Sequence, residues 1–305
     1  MNKLTKKIPN TFPERLTRAG QYLTDRLEER GLPVLTPFDF FHITWRMYRN
    51  AEGRRLYLRR DTPTMEDYAR LRLKLKKIGI INADHDYGAR IIRVLTVSDR
   101  AAEEIVCLVD PTAYVSHLSA MQRWGLTDRR PEALIVTRPD RMTATKLLRK
   151  HRIKHCDEGE NNPFPSRIIS HPGRVRRRPL HIYETKMIGA HIRNRGSHMR
   201  LSTIGQTFLD MLQKPDLCGG MGHVLDVWQE HAETYLDEIV SVVDGAVSPL
   251  VKSRAGYIIE ERLGLFHEGV EPWKAFGQRG SSRKLDPVKP FAPAFSKTWM
   301  ISLNV

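Results

Sequence analysis

The sequence predicts an α+β protein in two parts: a small N-terminal domain of helices closed by a hairpin, and a larger mixed α/β domain that ends in helices. Three observations lead to this class. Apolar residues at helical spacing alternate with short β-rich runs through the first two thirds of the chain. From Ser202 onward helical spacing takes over, until a Gly- and Pro-rich tail at 265–295. The charge changes at the same place. Residues 1–100 hold 21 basic and 12 acidic side chains, a net +9; 101–200 hold 19 and 10, again +9; 201–305 hold 10 and 13, a net −3.

A balance of +15 over 305 residues, carried by the first two thirds, points to a polyanionic partner, nucleic acid first. An apolar fraction of 40% suffices for a packed core and excludes global disorder. No apolar run approaches the roughly 18 residues of a membrane span. The basic start MNKLTKKIPNTFPERL lacks the apolar core of a signal peptide. The sequence therefore reads as cytoplasmic, with no membrane partner. Cys107, Cys156 and Cys218 are odd in number and far apart, which gives no disulfide framework.

Taken in order, residues 1–10 read as a flexible basic arm. Thr11 to Arg30 forms a helix, with Leu16, Ala19, Tyr22, Leu23 and Leu27 on one stripe and Gly31 as the stop. Val34-Leu35 is a short strand. Thr36-Pro37 opens a second helix that runs to about Tyr48, and Phe38, Phe41, Trp45 and Tyr48 on one face are core rather than a base-stacking platform. Residues 51–61, AEGRRLYLRRD, set Arg54, Arg55, Arg59 and Arg60 around Leu56-Tyr57-Leu58 and read as a strand or an extended loop near DNA.

The stretch from Thr64 to Arg93 organises this half. Tyr68, Leu71, Leu75 and Ile78 share one helical face, with Asp61, Thr62 or Thr64 as cap and Gly79 as stop. Arg70 and Lys77 point away from that face, flanked by Lys74 and Lys76. Two β-rich runs follow, Ile80 to Ala83 and Ala89 to Val94, joined by Asp84-His85-Asp86-Tyr87-Gly88, which has turn chemistry. A basic helix followed at once by a small hairpin is the layout of a winged helix-turn-helix, in which the helix enters the major groove of double-stranded DNA and the hairpin meets the backbone. The predicted domain is 11–96. Arg70 and Lys77 are the first candidates for groove contact, with Lys74 in support, and Arg90 and Arg93 would meet backbone or minor groove from the wing.

The second part opens with a helix from Ser98 to Val109, then one from Thr112 to Trp124 stopped by Gly125, a strand from Ala133 to Thr137, and a helix from Arg141 to Lys150. A polar loop occupies 155–163. Strands follow at Arg167 to Ser170, Arg174 to Tyr183 and Met199 to Leu201. Helices then cover 202–213, 221–231, 233–243 and 248–263, and Trp299 to Asn304 closes the chain as a strand. The run Arg174, Arg176, Arg177 and Arg178 makes a second basic patch. On a strand Arg176 and Arg178 share a face, placed either for extra phosphate contact or as a charged edge against strand-to-strand aggregation.

Other chemistry is weaker. His151, His155 and Cys156 have no second ligand pair at zinc spacing. Asp210, Asp216 and Asp226 could suggest a nuclease, but caps and solvated faces account for them. Gly219-Gly220-Met221-Gly222 lacks the Lys-Ser/Thr of a phosphate loop and follows a helix, so it reads as a sharp turn. No catalytic residue, metal or cofactor is predicted.

Three pieces of the second part carry a resemblance: Ser116-His117-Leu118-Ser119-Ala120-Met121-Gln122-Arg123-Trp124-Gly125-Leu126-Thr127, then Arg200-Leu201-Ser202 leading into Thr207-Phe208-Leu209-Asp210-Met211-Leu212, then Lys214-Pro215-Asp216-Leu217-Cys218-Gly219-Gly220. In order and spacing they resemble the AbiEi antitoxins of type IV toxin–antitoxin systems, whose pattern runs S-x-x-S-A-L-x-x-H-G-L-T, E-R-T-L-L-D-x-L, P-E-L-x-G-G. Trp124 stands where the family often has His, and Ile204-Gly205-Gln206 where it often has a charged pair. The resemblance implies a winged helix at the N-terminus that binds inverted repeats in its own promoter, as a dimer or two cooperating monomers, and represses a two-gene operon. It implies that 97–305 form the antitoxin domain and counteract an AbiEii-like, nucleotidyltransferase-like toxin in phage defence by abortive infection, without a stable complex and without enzymatic activity. Two other classes compete: a nuclease tethered by the winged helix and using Asp210 or Asp216, and a transcription factor that senses a small ligand.

Overall fold

The computed structural model describes residues 16–49, 56–58, 60–155, 167–277 and 283–305. The basic arm, the start of the first predicted helix, most of the arginines of 51–61 and most of the polar loop 155–163 lie outside the described residues, as do the side chains of His151, His155 and Cys156. The chain is a mixed α/β protein with several sheets, in two compact units. The first comprises the described residues of 1–101 and 147–171, the second those of 102–146 and 172–305. No helix among the described residues is long and apolar enough to cross a membrane.

In the first unit each helix begins where a short polar side chain meets orphan backbone donors. Thr17 Oγ1 accepts from Gly20 N at 3.2 Å at the head of α1 (Arg18–Arg30), which stops at Gly31 in the left-handed conformation. Strand β1 (Val34–Leu35) leads into α2 (Pro37–Arg49), opened by Thr36 and Asp39, each of which bonds the other's backbone N–H at 3.1 Å. Thr64 and Asp67 repeat this reciprocal box at α3 (Met65–Lys77). Strands β2 (Ile81–Asp84) and β3 (Gly88–Val94) form an antiparallel hairpin, and β1 pairs with β3, so the sheet order is β1-β3-β2. Leu23, Leu27, Phe40, Phe41, Tyr68, Leu71, Leu75 and Ile92 make the core, with the Phe40 and Tyr68 rings edge to face at 5.5 Å. The four aromatics expected on one face of α2 are all buried.

The second unit joins a six-stranded mixed sheet to a helical part. Helix α4 (Ala102–Val109) starts several residues later than Ser98, and Asp99 Oδ1 accepts from the N–H of the adjacent Arg100 at 2.9 Å. The helix expected from Thr112 is instead a strand followed by a helix. Asp110 Oδ1 captures both N and Oγ1 of Thr112, at 2.9 and 2.6 Å, and the buried Tyr114-Val115 then pairs as β4 (Tyr114–Val115) before α5 (His117–Trp124) begins. Strand β5 (Leu134–Pro139) and α6 (Arg141–His155) follow. Residues 167–170 form no strand. The single strand expected over Arg174 to Tyr183 is a hairpin of β6 (Arg174–Val175) and β7 (Arg178–Thr185), turning on Arg176-Arg177. Strand β8 (His191–Arg193), exposed throughout and therefore without an apolar pattern to announce it, lies at the sheet edge beside β9 (Arg200–Ser202). The order is β6-β7-β5-β4-β9-β8; β5 runs parallel to β7, and β4 runs antiparallel to β5 and parallel to β9.

Helices α7 (Ile204–Gln213), α8 (Met221–His231), α9 (Leu236–Asp244) and α10 (Pro249–Gly256) pack around Phe208, Trp228, Ile239, Trp273 and Trp299. A π-helical turn over Tyr257–Arg262 and a 3-10 stretch over Glu268–Phe276 complete this part. The closing residues form β10 (Phe295–Ser296) and β11 (Ile301–Ser302), a two-stranded sheet. Arg254, almost fully buried, fastens them: its Nε donates to Lys284 O at 3.0 Å and its Nη1 to Leu212 O at 2.8 Å. Burial in that position pulls the guanidinium down to about 10.

Candidate nucleic-acid interface

Helix α3 buries Tyr68, Leu71 and Leu75 and leaves Arg70, Lys76 and Lys77 exposed, with Lys74 half-buried between the faces. The apolar stripe and the basic side chains therefore sort as the spacing predicts. Arg70 lies 2.5 Å from Asp67 Oδ1 while its side chain stays 73% exposed, so this ion pair is a weak tether that a phosphate or a guanine edge can displace. The Asp67 carboxyl is half spoken for in any case. Burial works to raise it, but the cap hydrogen bonds from Thr64, aided by Arg70, hold it below the ordinary carboxylate range.

The hairpin arginines are placed differently. Arg93 Nη1 donates to Pro33 O at 2.7 Å and to Val94 O, and its Nη2 donates to Val97 O at 2.8 Å, which ties β1 and the exit of β3 together. Arg90 Nε donates to Tyr87 O at 3.2 Å and its Nη1 to Ser170 O at 3.0 Å. Next to that contact, the Tyr87 hydroxyl and His171 Nδ1 are 2.8 Å apart, so residues 170–171 are fastened to the hairpin. The turn between β2 and β3 holds Asp84, His85 and Asp86, the one group of three potential metal ligands among the described residues. Asp84 Oδ1 already accepts from the N–H of Asp86 and of Tyr87, at 3.0 and 3.1 Å. Asp84 is buried and Asp86 lies 3.4 Å from His85 Nε2, so both carboxylates serve the turn itself.

In the second unit Arg178 Nη1 and Arg123 Nη2 both lie 2.5 Å from Glu103 Oε1. Glu103 is buried; desolvation works to raise its carboxyl, and the two guanidiniums hold it below its ordinary range. Arg178 is thus anchored at the base of the turn with its side chain 29% exposed. Arg176 and Arg177 occupy the turn, at φ +50° and +65°. Left-handed backbone at a non-glycine residue costs roughly 1 kcal/mol or more at each position. Arg174 and Arg177 are exposed. The Arg-rich run showed this site in the sequence, but not the turn, because no Asn-Gly or Asp-Gly marks it.

The three pieces that carry the resemblance meet in this unit. Trp124 Nε1 donates to Ser202 O at 2.9 Å, Ser202 Oγ and Thr207 Oγ1 are 2.9 Å apart, and Ser119 Oγ accepts from Ile135 N at 2.9 Å. Tyr114, Thr137 and Tyr183 stand side by side on β4, β5 and β7. Ser116 Oγ bridges Thr137 Oγ1 at 2.7 Å and His117 Nδ1 at 2.9 Å. Gln206 Nε2 donates to Asp210 Oδ1 at 2.7 Å. Asp210, expected on a solvated face, is instead buried, and burial pushes its carboxyl up to about 7. His117, buried at φ +51°, is pulled down to about 3, first by desolvation and then by His181 and Lys214. These residues knit sheet to helix, so the motif reads first as a signature of this fold. Asp216 and Asp226 are exposed and do not join Asp210 in any three-ligand group among the described residues.

No protein-family model matches the chain, and no curated protein matches it. The functional reading therefore stands on the residues and geometry above.

Proposed function

We propose that the protein is a DNA-binding antitoxin of the type IV kind, which represses its own operon through an N-terminal winged helix-turn-helix and counteracts a nucleotidyltransferase-like toxin through its second unit. The observation that carries the DNA-binding half is α3: a helix with a buried apolar face, an exposed face of Arg70, Lys76 and Lys77, and a hairpin directly after it. The order helix, strand, helix, helix, hairpin, with β1 paired to the second hairpin strand, supports the winged-helix reading. The antitoxin half rests on the resemblance of the segments 116–127, 200–212 and 214–220.

Within this reading Arg70 and Lys77 contact the groove and Lys74 supports them. Arg90 and Arg93 meet backbone or minor groove from the wing, with part of each guanidinium already donating to backbone carbonyls that steady the hairpin. The test is fluorescence anisotropy of the full chain on its own upstream promoter DNA and on a scrambled duplex, over a salt series. Specific binding with a steep salt slope, lost in the double variant Arg70→Ala, Lys77→Ala while the fold persists, is expected. Equal binding to both duplexes would sink the repressor reading. Co-expression with the neighbouring gene tests the antitoxin half through rescue from toxicity.

A further inference from the structure

The hairpin of β6 and β7 places four arginines within five consecutive residues and turns on the middle pair. Both residues of its two-residue tip, Arg176 and Arg177, have positive φ, the requirement of a type I′ turn. Asn-Gly meets that requirement at little cost; two arginines do not. Strain of this kind persists where the surroundings impose it and a function uses it. The imposing contacts are present. Val175 is fully buried and pairs with Arg178, and Arg178 is clamped with Arg123 on the buried Glu103. The base of the hairpin is therefore fixed, while Arg174 and Arg177 are exposed at its end.

We infer that this hairpin is a phosphate-binding finger for a nucleic-acid backbone, with Arg174 and Arg177 as contact residues and Arg178 as a positioning residue. Guanidinium groups match phosphate bidentately, and a hairpin with a fixed base offers them from an already ordered backbone. The contact reads charge and not sequence, so it adds affinity and orientation to any specific contact made elsewhere. The inference deepens the DNA-binding reading and rests on it only for the class of partner.

The test uses the full chain and a random-sequence duplex, with anisotropy measured from about 50 to 200 mM salt. The double variant Arg174→Ala, Arg177→Ala should flatten the log–log salt slope by about 2 and weaken binding about tenfold. A second variant, Arg177→Gly, separates function from folding. It should raise the melting temperature, because glycine accepts φ +65° freely, and yet flatten the slope by about 1. A turn with a purely structural role would gain stability and keep its slope. Unchanged slopes in both variants overturn the inference, whether the tip is idle or serves an acidic protein. Arg70→Ala, Lys77→Ala, measured on the same duplex, keeps the two readings apart. Loss in the hairpin variants alone leaves the finger standing and removes the recognition helix, and loss in the helix variant alone does the reverse.

Discussion

Gln206 donates its side-chain amide to Asp210 Oδ1 at 2.7 Å, and the other carboxylate oxygen of Asp210 is buried with no hydrogen-bond partner among the described residues. Burial outweighs the hydrogen bonds from Gln206 and from the His117 backbone, which favour the charged form, and the carboxyl rises to about 7. The folded state therefore binds a proton that the unfolded chain has released, between an ordinary value of about 4 and about 7. The stability tied to that proton is present below about pH 4 and lost as the pH rises through about 7. Asp210→Asn cannot ionise. Its unfolding free energy relative to the parent, read by chemical denaturation, should climb between about pH 5 and pH 8 by an amount on the order of a few kcal/mol. A difference that stays flat across that range would show that Asp210 is not a neutral acid in the fold.

His117 heads α5 at φ +51°, where a side chain is strained and glycine is not. Replacement by Ala removes the ring and its contacts with Ser116 and Tyr183 and keeps the strain. Replacement by Gly removes the same contacts and the strain together. His117→Gly should thus be more stable than His117→Ala by roughly 1 kcal/mol, the reverse of the order found inside ordinary helices. Chemical denaturation of the pair decides it; Ala at or above Gly rules out the left-handed backbone.

The sequence announced the elements whose cause is local and missed those whose cause is a distant partner. Thr36, Thr64, Gly31 and Gly125 mark helix ends through their own chemistry, and the helices they bound were legible from them. Tyr114-Val115 became a strand because β5 and β9 stand on either side of it, which no window around Thr112 can show. The hydrogen bonds of Arg90 and Arg93 are equally invisible to a local window. Their carbonyl partners, Ser170 and Pro33, lie 80 and 60 residues away. The same holds for Asp210, a helix residue like any other until the sheet closes over it.

Glu103 serves two guanidiniums from a buried position, so removing it leaves Arg123 and Arg178 facing each other without their shared anion. Both arginines are partly exposed, at 47% and 29%, and water screens some of the loss. Glu103→Ala should cost about 2 kcal/mol, below the range for a fully buried pair. With the carboxyl held below its ordinary range, the stability it lends is present above an unfolded value of about 4 and lost as the pH falls further. The penalty of Glu103→Ala should therefore shrink in acid. A penalty that persists undiminished well below that pH assigns the effect to packing instead.

Gly256, the last residue of α10, faces the ring of Trp299 so closely that a Cβ there would overlap the indole. Trp299 is fully buried and stands between β10 and β11, so the contact decides how the closing residues sit on the helices. Neither partner can give way cheaply, since the glycine lies where α10 runs on into the π-helical turn and the indole is fully buried. Gly256→Ala should destabilise by about 1–3 kcal/mol even though Ala favours helix over Gly. The second observable is local: limited proteolysis should cut within 283–305 faster in the variant, while the first unit keeps its protection. A variant as stable as the parent, with the same cleavage pattern, would remove Trp299 from its place against α10.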